Sequence, residues 1–155
     1  MDHVPYTVDP AEMALPDLFD ACRYLDVAVC SYSPLAEGFL TGKYTMDADW
    51  KTVKPDGSRG AMSENYGEFP ERWWQVLGEV KGVAEEVGGT PAQVAISWVS
   101  RIAGLTSIPI IGATSVEQIN ETLKYVDLSL SDKQHERITD AGKLQDLNPH
   151  AYTYT

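Results

Sequence analysis

Apolar residues recur three and four positions apart in two long stretches of the chain. The first stretch runs from residue 15 to 25 and the second from residue 71 to 87. This spacing places the apolar side chains on one face of an α-helix, the face that packs against a core. Gly88 and Gly89 follow the second stretch, as is typical of a helix C-terminus. The pattern therefore predicts two amphipathic helices.

Two short apolar runs show no helical period. Residues 27–31 (VAVCS) closely follow the first predicted helix, and residues 106–111 (TSIPII) lie in the last third of the chain. Continuous apolar runs of this length are typical of parallel strands that are buried on both faces. We predict two such strands, with Cys30 as a small buried side chain rather than a nucleophile.

Three further helix starts share one signature, a hydroxyl residue followed three positions later by Gln. They begin at Thr90, Ser115 and Ser131. In this capping box the hydroxyl oxygen accepts a hydrogen bond from the amide of the third helical residue, and the Gln side chain accepts one from the amide of the capping residue. Helices that alternate with short apolar strands predict an α/β fold with a parallel sheet.

Residues 42–70 interrupt this regular order. The segment is rich in Gly, Pro, Asp and Lys, and we interpret it as a long surface loop. The length and apolar content predict one domain that spans residues 1–155. We expect Trp73, Trp74 and Trp98 in its core, and His135 on the surface of the last helix.

Charge and cysteine content narrow the classes of function. The chain has 12 basic and 23 acidic residues, a net charge of -11, so nucleic acid and anionic membranes are poor partners. No apolar run approaches the roughly 20 residues that span a bilayer. Cys22 and Cys30 form no CxxC pair and the N-terminus has no signal-peptide pattern, so we expect a reducing, cytoplasmic location. The loop aspartates do not have metal-ligand spacing, and no metal site is predicted.

Three strings of residues together resemble the aldo-keto reductases. They are YSPL with GFLTGKY in residues 32–44, TPAQVAISWV in 90–99, and IPIIGA with SVEQI in 108–119. The resemblance covers most of residues 1–141 in family order. It implies a (β/α)8 barrel, a TIM barrel, with its site at the C-terminal ends of the strands. Residues 4–7, 27–31 and 107–111 would be the sixth to eighth strands, so the predicted fold is a partial barrel, the C-terminal half with about three parallel strands and flanking helices.

The resemblance implies that the family's catalytic Tyr, Lys, Asp and His belong to the barrel half that these residues do not match. None of the eight tyrosines aligns with the catalytic one. We therefore expect no independent carbonyl reductase activity from the 155-residue chain. His3, Tyr6 and Tyr32 are the candidates for proton transfer, because imidazole and phenol groups can exchange protons. A solvated terminal position is the alternative interpretation of His3.

The resemblance also implies half of an NADP(H) site. Tyr32 would stack on the nicotinamide, the following loop would lie along the pyrophosphate, and the helix that starts at Ser115 would hold the adenosine phosphate with backbone amides. The candidate cofactor-binding residues are Tyr32, Ser33, Leu35, Gly112, Ala113, Thr114, Gln118 and Glu121.

The phosphate end of this predicted site departs from the family pattern. Relatives often have Arg or Lys where this chain has Gly112, Thr114 and Gln118, and they have Asn where it has Thr122. Each lost charge-assisted hydrogen bond removes about 1.5–3 kcal/mol. We therefore expect weakened NADP(H) binding.

A half-barrel leaves strand edges and an inner face uncovered, and covering that face at about 25 cal/mol per Å² would drive association. We therefore expect a homodimer or larger homo-oligomer that completes the barrel. Three functions stay open: residual NADP(H) binding without reductase activity; a repurposed enzyme that catalyses a non-redox isomerisation, cyclisation or dehydration of an apolar small molecule; and a non-enzymatic binding subunit.

Overall fold

The computed structural model describes residues 16–45, 71–102 and 104–142, with side chains from Phe19 onward. The predicted strand at residues 4–7, the candidates His3 and Tyr6, and residues 46–70 of the predicted loop lie outside the described residues. The elements in chain order are α1 (Pro16–Tyr24), β1 (Val29–Tyr32), a 3-10 segment (Ala36–Thr41), α2 (Glu71–Val87), α3 (Pro91–Val99), β2 (Ser107–Ile110), α4 (Val116–Leu123), a second 3-10 segment (Lys124–Asp127) and α5 (Asp132–Gly142).

Helices α3 and α5 begin with the predicted capping boxes. The Thr90 hydroxyl accepts from the amide of Gln93 at 3.3 Å, and the Gln93 side chain accepts from the amide of Thr90 at 3.1 Å. Ser131 and Gln134 repeat both bonds at 3.3 and 2.9 Å. These two predictions are confirmed, because a capping box is a local signal that depends on few distant contacts.

Helix α4 forms only half of its predicted capping box. The Ser115 hydroxyl accepts from the amide of Gln118 at 3.2 Å, as expected. The Gln118 side chain accepts instead from the amide and the hydroxyl of Thr114, at 3.0 and 2.9 Å. The prediction for the second arm is wrong, because the Thr114 amide and hydroxyl both donate to the Gln118 side-chain oxygen.

Strands β1 and β2 pair in parallel, with Val29 opposite Ser107 and Tyr32 opposite Ile110. One face of this sheet packs toward α3, and there the Ser107 hydroxyl donates to the Val99 carbonyl at 2.7 Å. The other face is exposed, so the prediction of strands buried on both faces is wrong. We call the side chains on this side the open face; they are Cys30, Tyr32, Ile108 and Ile110.

The core lies between α2, α3, α5 and the first 3-10 segment. Phe39 is 1% exposed, and its ring lies 5.4 Å from that of Trp73 and 5.0 Å from that of Trp74. Trp98 is also buried, so all three tryptophans belong to the core or pack against it, as predicted. The surface prediction for His135 is wrong, because its half-buried ring stacks on Trp98 at 5.4 Å.

Helix α5 packs against α2, and Arg137 of α5 forms ion pairs with two residues of α2. Arg137 donates to Glu79 at 2.8 Å and to Glu86 at 2.6 Å, so one guanidinium joins two positions of α2. Within the described ranges, no helix is long and apolar enough to cross a membrane.

Candidate functional site

The carboxyl ends of β1 and β2 define the candidate site. Tyr32 and Ile110 are the last residues of their strands and are partners in the register. Because the strands are parallel, the loops that follow them leave the sheet at the same edge. The structure therefore brings together the two segments that the sequence predicted for the cofactor, one after each strand.

The loop after β1 contains a run of unusual backbone conformations. Ser33, Ala36 and Glu37 have φ values of 53°, 48° and 54°, in the left-handed region that residues other than Gly avoid. Gly38 continues the run at 95°. Such conformations cost about 1–2 kcal/mol each for residues with a Cβ and concentrate at functional sites. This strain could not be predicted from the sequence, since only Gly38 of these four residues favours positive φ.

The same loop is held by its apolar residues. Leu35 is half-buried against the core, Pro34 and Ala36 are buried, and Phe39 follows in the core. Tyr32, in contrast, is 44% exposed on the open face. The predicted platform residue is thus accessible at the end of its strand, whereas Leu35 holds the loop in place.

The loop after β2 is exposed and closes on the start of α4. Gly112, Ala113 and Thr114 are exposed, and the Thr114 amide and hydroxyl both donate to the Gln118 side chain. The first amides of a helix have no acceptor within the helix. Ser115 accepts from one of them, the amide of Gln118, and the Glu117 carboxylate accepts from another, its own backbone amide.

The electrostatics of this helix start are set by the backbone and by one acid. Residues 112–121 contain no Lys or Arg. Glu117 lies in the first turn, where its own backbone amide and the Ser115 hydroxyl lower the pKa of its carboxyl. An anionic ligand would therefore meet the favourable end of the helix dipole but also a carboxylate that already accepts from one of the first amides. The segment fits a nucleotide phosphate held by neutral donors, with less positive charge than an Arg-bearing site.

Glu121 makes contacts that the sequence did not predict. Its Oε1 accepts from the Thr90 hydroxyl at 2.7 Å and from the Gln93 side-chain amide at 3.2 Å. Gln93 also donates to the Glu121 carbonyl at 2.9 Å. Thr90 and Gln93 lie 31 and 28 positions before Glu121 in the sequence. The capping motif at Thr90 could therefore be predicted from the sequence, whereas its contact with Glu121 could not.

A separate open groove of about 540 Å³ lies beside the C-terminal end of α3. That end leads into the start of β2, so the groove is at the opposite end of the strand from Ile110. Its cation, Arg101, donates to the Leu130 carbonyl at 2.6 Å and to Asp132. The groove therefore lies apart from the candidate cofactor residues. No cluster of side chains that could hold a metal ion occurs in residues 16–45, 71–102 and 104–142.

Comparison with known proteins identifies relatives over nearly the whole chain. A sequence profile of the Aldo/keto reductase family matches residues 4–143. An uncharacterised oxidoreductase of Mycobacterium tuberculosis is 35% identical over 131 residues, which cover 84% of this chain and 38% of that protein. A probable voltage-gated potassium channel subunit beta of Arabidopsis thaliana is 40% identical over 107 residues, 66% of this chain and 30% of the relative.

A solved structure shares the fold. The crystal structure of a thermostable aldo-keto reductase in complex with the inhibitor epalrestat superposes with a TM-score of 0.54 at 17% identity. The superposition covers 86% of this chain and 36% of that enzyme. The chain thus spans less than two fifths of the length of these relatives, and its α/β elements with parallel strands match part of a TIM barrel.

Proposed function

Because the chain belongs to the aldo/keto reductase family, we propose that it forms the part of an NADP(H) site that follows the last two barrel strands. The observation that carries this proposal is the parallel register of β1 and β2. That register places exposed Tyr32 and the exposed loop before α4 at one edge of the sheet. Sites of barrel enzymes occur at this edge.

The residues present suit different parts of the cofactor to different degrees. The half-exposed Tyr32 ring offers a surface for the nicotinamide. Gly112 has no side chain and no atom near its Cβ position, so a phosphate could approach the backbone closely. The neutral donors and Glu117 favour weak phosphate binding. In this family the bound cofactor supplies a hydride; the residues described here would hold and orient it.

We further propose that the 155-residue chain alone does not reduce carbonyl compounds. The resemblance implies that the family's catalytic Tyr, Lys, Asp and His belong to the barrel half that these residues do not match. His3, Tyr6 and Tyr32 stay candidates for proton transfer. Without the catalytic set, bound NADPH would lack a positioned proton donor for the carbonyl oxygen.

Titration of the purified 155-residue chain with NADPH tests both statements. We expect quenching of tryptophan fluorescence that saturates, and no oxidation of NADPH when an aromatic aldehyde is added. Tyr32→Ala should weaken binding, because it removes the stacking surface. Tyr24→Ala is the matched control, since Tyr24 is 89% exposed and lies before β1, away from the site. Failure to bind NADPH overturns the first statement, and ordinary turnover by material free of contaminating homologues overturns the second.

The open face supports a proposal about assembly. Ile108, Ile110 and Tyr32 are 48%, 55% and 44% exposed, although they line one continuous side of a sheet. Contiguous apolar surface of this kind marks an interaction site. We propose that two copies cover this face in a homodimer, and that the enclosed space accepts a small apolar ligand.

An enclosed apolar space would also suit the second candidate function, a non-redox isomerisation, cyclisation or dehydration. Mass spectrometry of ligand released from purified protein separates the two candidates. A co-purified nicotinamide nucleotide supports the first, and an apolar compound without it supports the second.

The free thiols Cys22 and Cys30, the latter exposed, support the proposed reducing, cytoplasmic location.

A further inference from the structure

We propose that Thr90 and Gln93 are positioning residues of the nucleotide site, which they serve by fixing Glu121 and through it helix α4. The proposal rests on the proposed function, because α4 carries the residues expected to contact the adenosine end of the cofactor. Of the candidate cofactor residues, Thr90 and Gln93 both contact Glu121. Their effect passes through one side chain and one helix.

Thr90, Gln93 and Glu121 are hydrogen-bonded to one another. The Thr90 hydroxyl accepts from the Gln93 amide and donates to Glu121 Oε1 at 2.7 Å. The Gln93 side-chain oxygen accepts from the Thr90 amide, and its nitrogen donates to Glu121 Oε1 and to the Glu121 carbonyl. The capping box of α3 is thus also the attachment point of α4, through both the side chain and the backbone of one residue.

Burial makes this attachment stiff. Gln93 is 7% exposed, and both of its side-chain polar atoms are hydrogen-bonded. A Cβ added at Gly89 would come within 2.4 Å of Leu128 and 3.2 Å of the Gln93 side-chain oxygen, so the packing around the capping box is tight. A bond to a charged group in such surroundings is stronger than one in water. The position of Glu121 is therefore determined by α3.

Helix α4 transmits this position to the candidate phosphate loop. Gln118 lies three residues before Glu121, on the same side of a helix of eight residues. Gln118 in turn accepts both hydrogen bonds from Thr114, in the exposed loop. A displacement of α4 at Glu121 would move Gln118 and Thr114 with it, because a two-turn helix moves as one body.

The chain provides a matched control for this proposal. Ser131 and Gln134 form the same capping box at α5, and the Gln134 side-chain nitrogen donates to Glu86 of α2 at 2.9 Å. The chemistry is the same, a capping Gln that also donates to a Glu of another helix. Its partner helix is α2, which has none of the predicted cofactor residues.

The test compares Gln93→Glu with Gln134→Glu. Each variant keeps an acceptor for the capping amide, loses the donor to its Glu partner and introduces a like charge. We expect Gln93→Glu to raise the Kd for NADPH about tenfold, the effect of losing one charge-assisted hydrogen bond. Gln134→Glu should leave the Kd within twofold, although both variants lower the Tm. Each Kd is measured by fluorescence titration at a temperature well below the Tm of the variant.

A second pair of variants, both at Thr90, tests the proposal if Gln93→Glu does not fold. Thr90→Val removes the hydroxyl and should raise the Kd for NADPH, and Thr90→Ser should restore it, because serine keeps both the cap and the bond to Glu121. If the unchanged chain binds NADPH and Thr90→Val binds it with the same Kd, the inference about Thr90 and Gln93 is overturned, whereas the proposed function is not. An equal loss of affinity in Gln134→Glu also overturns it, since the effect would then be general destabilisation. If the unchanged chain does not bind NADPH, the proposed function fails and the inference fails with it.

Discussion

Glu37 is a residue whose side chain conflicts with its backbone. Its φ of 54° is in the left-handed region, and it lies between Ala36 and Gly38, which also have positive φ. Glu37→Gly should raise the free energy of unfolding by about 0.5–1 kcal/mol, because glycine adopts this conformation without a Cβ clash. Urea denaturation followed by circular dichroism measures the change.

The control for this prediction is Glu85→Gly. Glu85 is also exposed but lies inside α2, where glycine costs about 0.5–1 kcal/mol relative to a good helix former. The two substitutions should therefore have opposite signs. Destabilisation by both would contradict the strain assigned to the loop after β1.

The His135 imidazole should make stability depend on pH. Burial lowers its pKa below the usual 6.5, and the nearby Arg101 guanidinium adds to this; a hydrogen bond to the Trp98 carbonyl and the Asp132 carboxylate act in the opposite direction. The unfolded chain then binds the proton more readily than the folded chain. The contribution of His135 to the free energy of unfolding should be fully present above pH 6.5. It should decrease as the pH falls from 6.5 toward the lowered pKa.

His135→Phe provides the check on this pH dependence. Phenylalanine keeps a ring against Trp98 but does not titrate, so the fall in stability between pH 7 and pH 5 should become smaller. Both proteins retain His3 and His150, so the difference between their pH profiles isolates residue 135. Identical profiles would show that His135 is as easily protonated in the fold as in the unfolded chain.

At the scale of elements, the sequence predicts most reliably what depends on neighbours in the chain. The starts of α3 and α5 follow from a hydroxyl and a Gln three positions apart, and α2 from its apolar period and Gly88. The start of α4 differs in one arm because Thr114, just outside the motif, competes for Gln118. A motif predicts which groups can bond, whereas the surrounding residues decide which of them do.

Truncation of a buried side chain of helix α2 should destabilise the fold. Val80 is fully buried where α2 meets the other core helices, so Val80→Ala should lower the free energy of unfolding by about 2 kcal/mol, through lost burial and a residual cavity. Val126→Ala removes the same two methyl groups from a side chain that is 68% exposed and should cost less than about 0.5 kcal/mol. Chemical denaturation of the two variants gives the comparison. Equal costs would show that α2 is not part of the folding core.

At the scale of the whole molecule, the strands show what a local pattern cannot predict. The apolar runs around Cys30 and Ile108 indicate side chains suited to burial on both faces, yet α3 covers one face and the other is open. Whether a strand face is buried depends on what lies across from it, which is not encoded in the strand. The meeting of Tyr32 with the loop at Gly112 was predictable from parallel order, whereas the bonds from Thr90 to Glu121 were not.

The open face leads to the last prediction, which concerns self-association. Each chain has a net charge of -11, so two copies repel one another, and the proposed homodimer must be held by apolar contact. Added salt screens this repulsion and leaves the apolar term, so the dimer should become tighter as NaCl increases. Light scattering and sedimentation at micromolar concentration measure this dependence.

Ile108→Lys tests whether the open face makes the contact. Ile108 is 48% exposed and lies opposite Cys30 in the sheet, so a lysine there should be tolerated by the monomer but costly to bury at an interface. We expect Ile108→Lys to shift the protein to monomer with little change in Tm. Val126→Lys adds the same charge at an exposed position on the second 3-10 segment and should leave the dimer intact. A wild-type monomer at micromolar concentration, or equal dissociation in both variants, would contradict the assignment, because burial of the open face is the only attraction that it invokes.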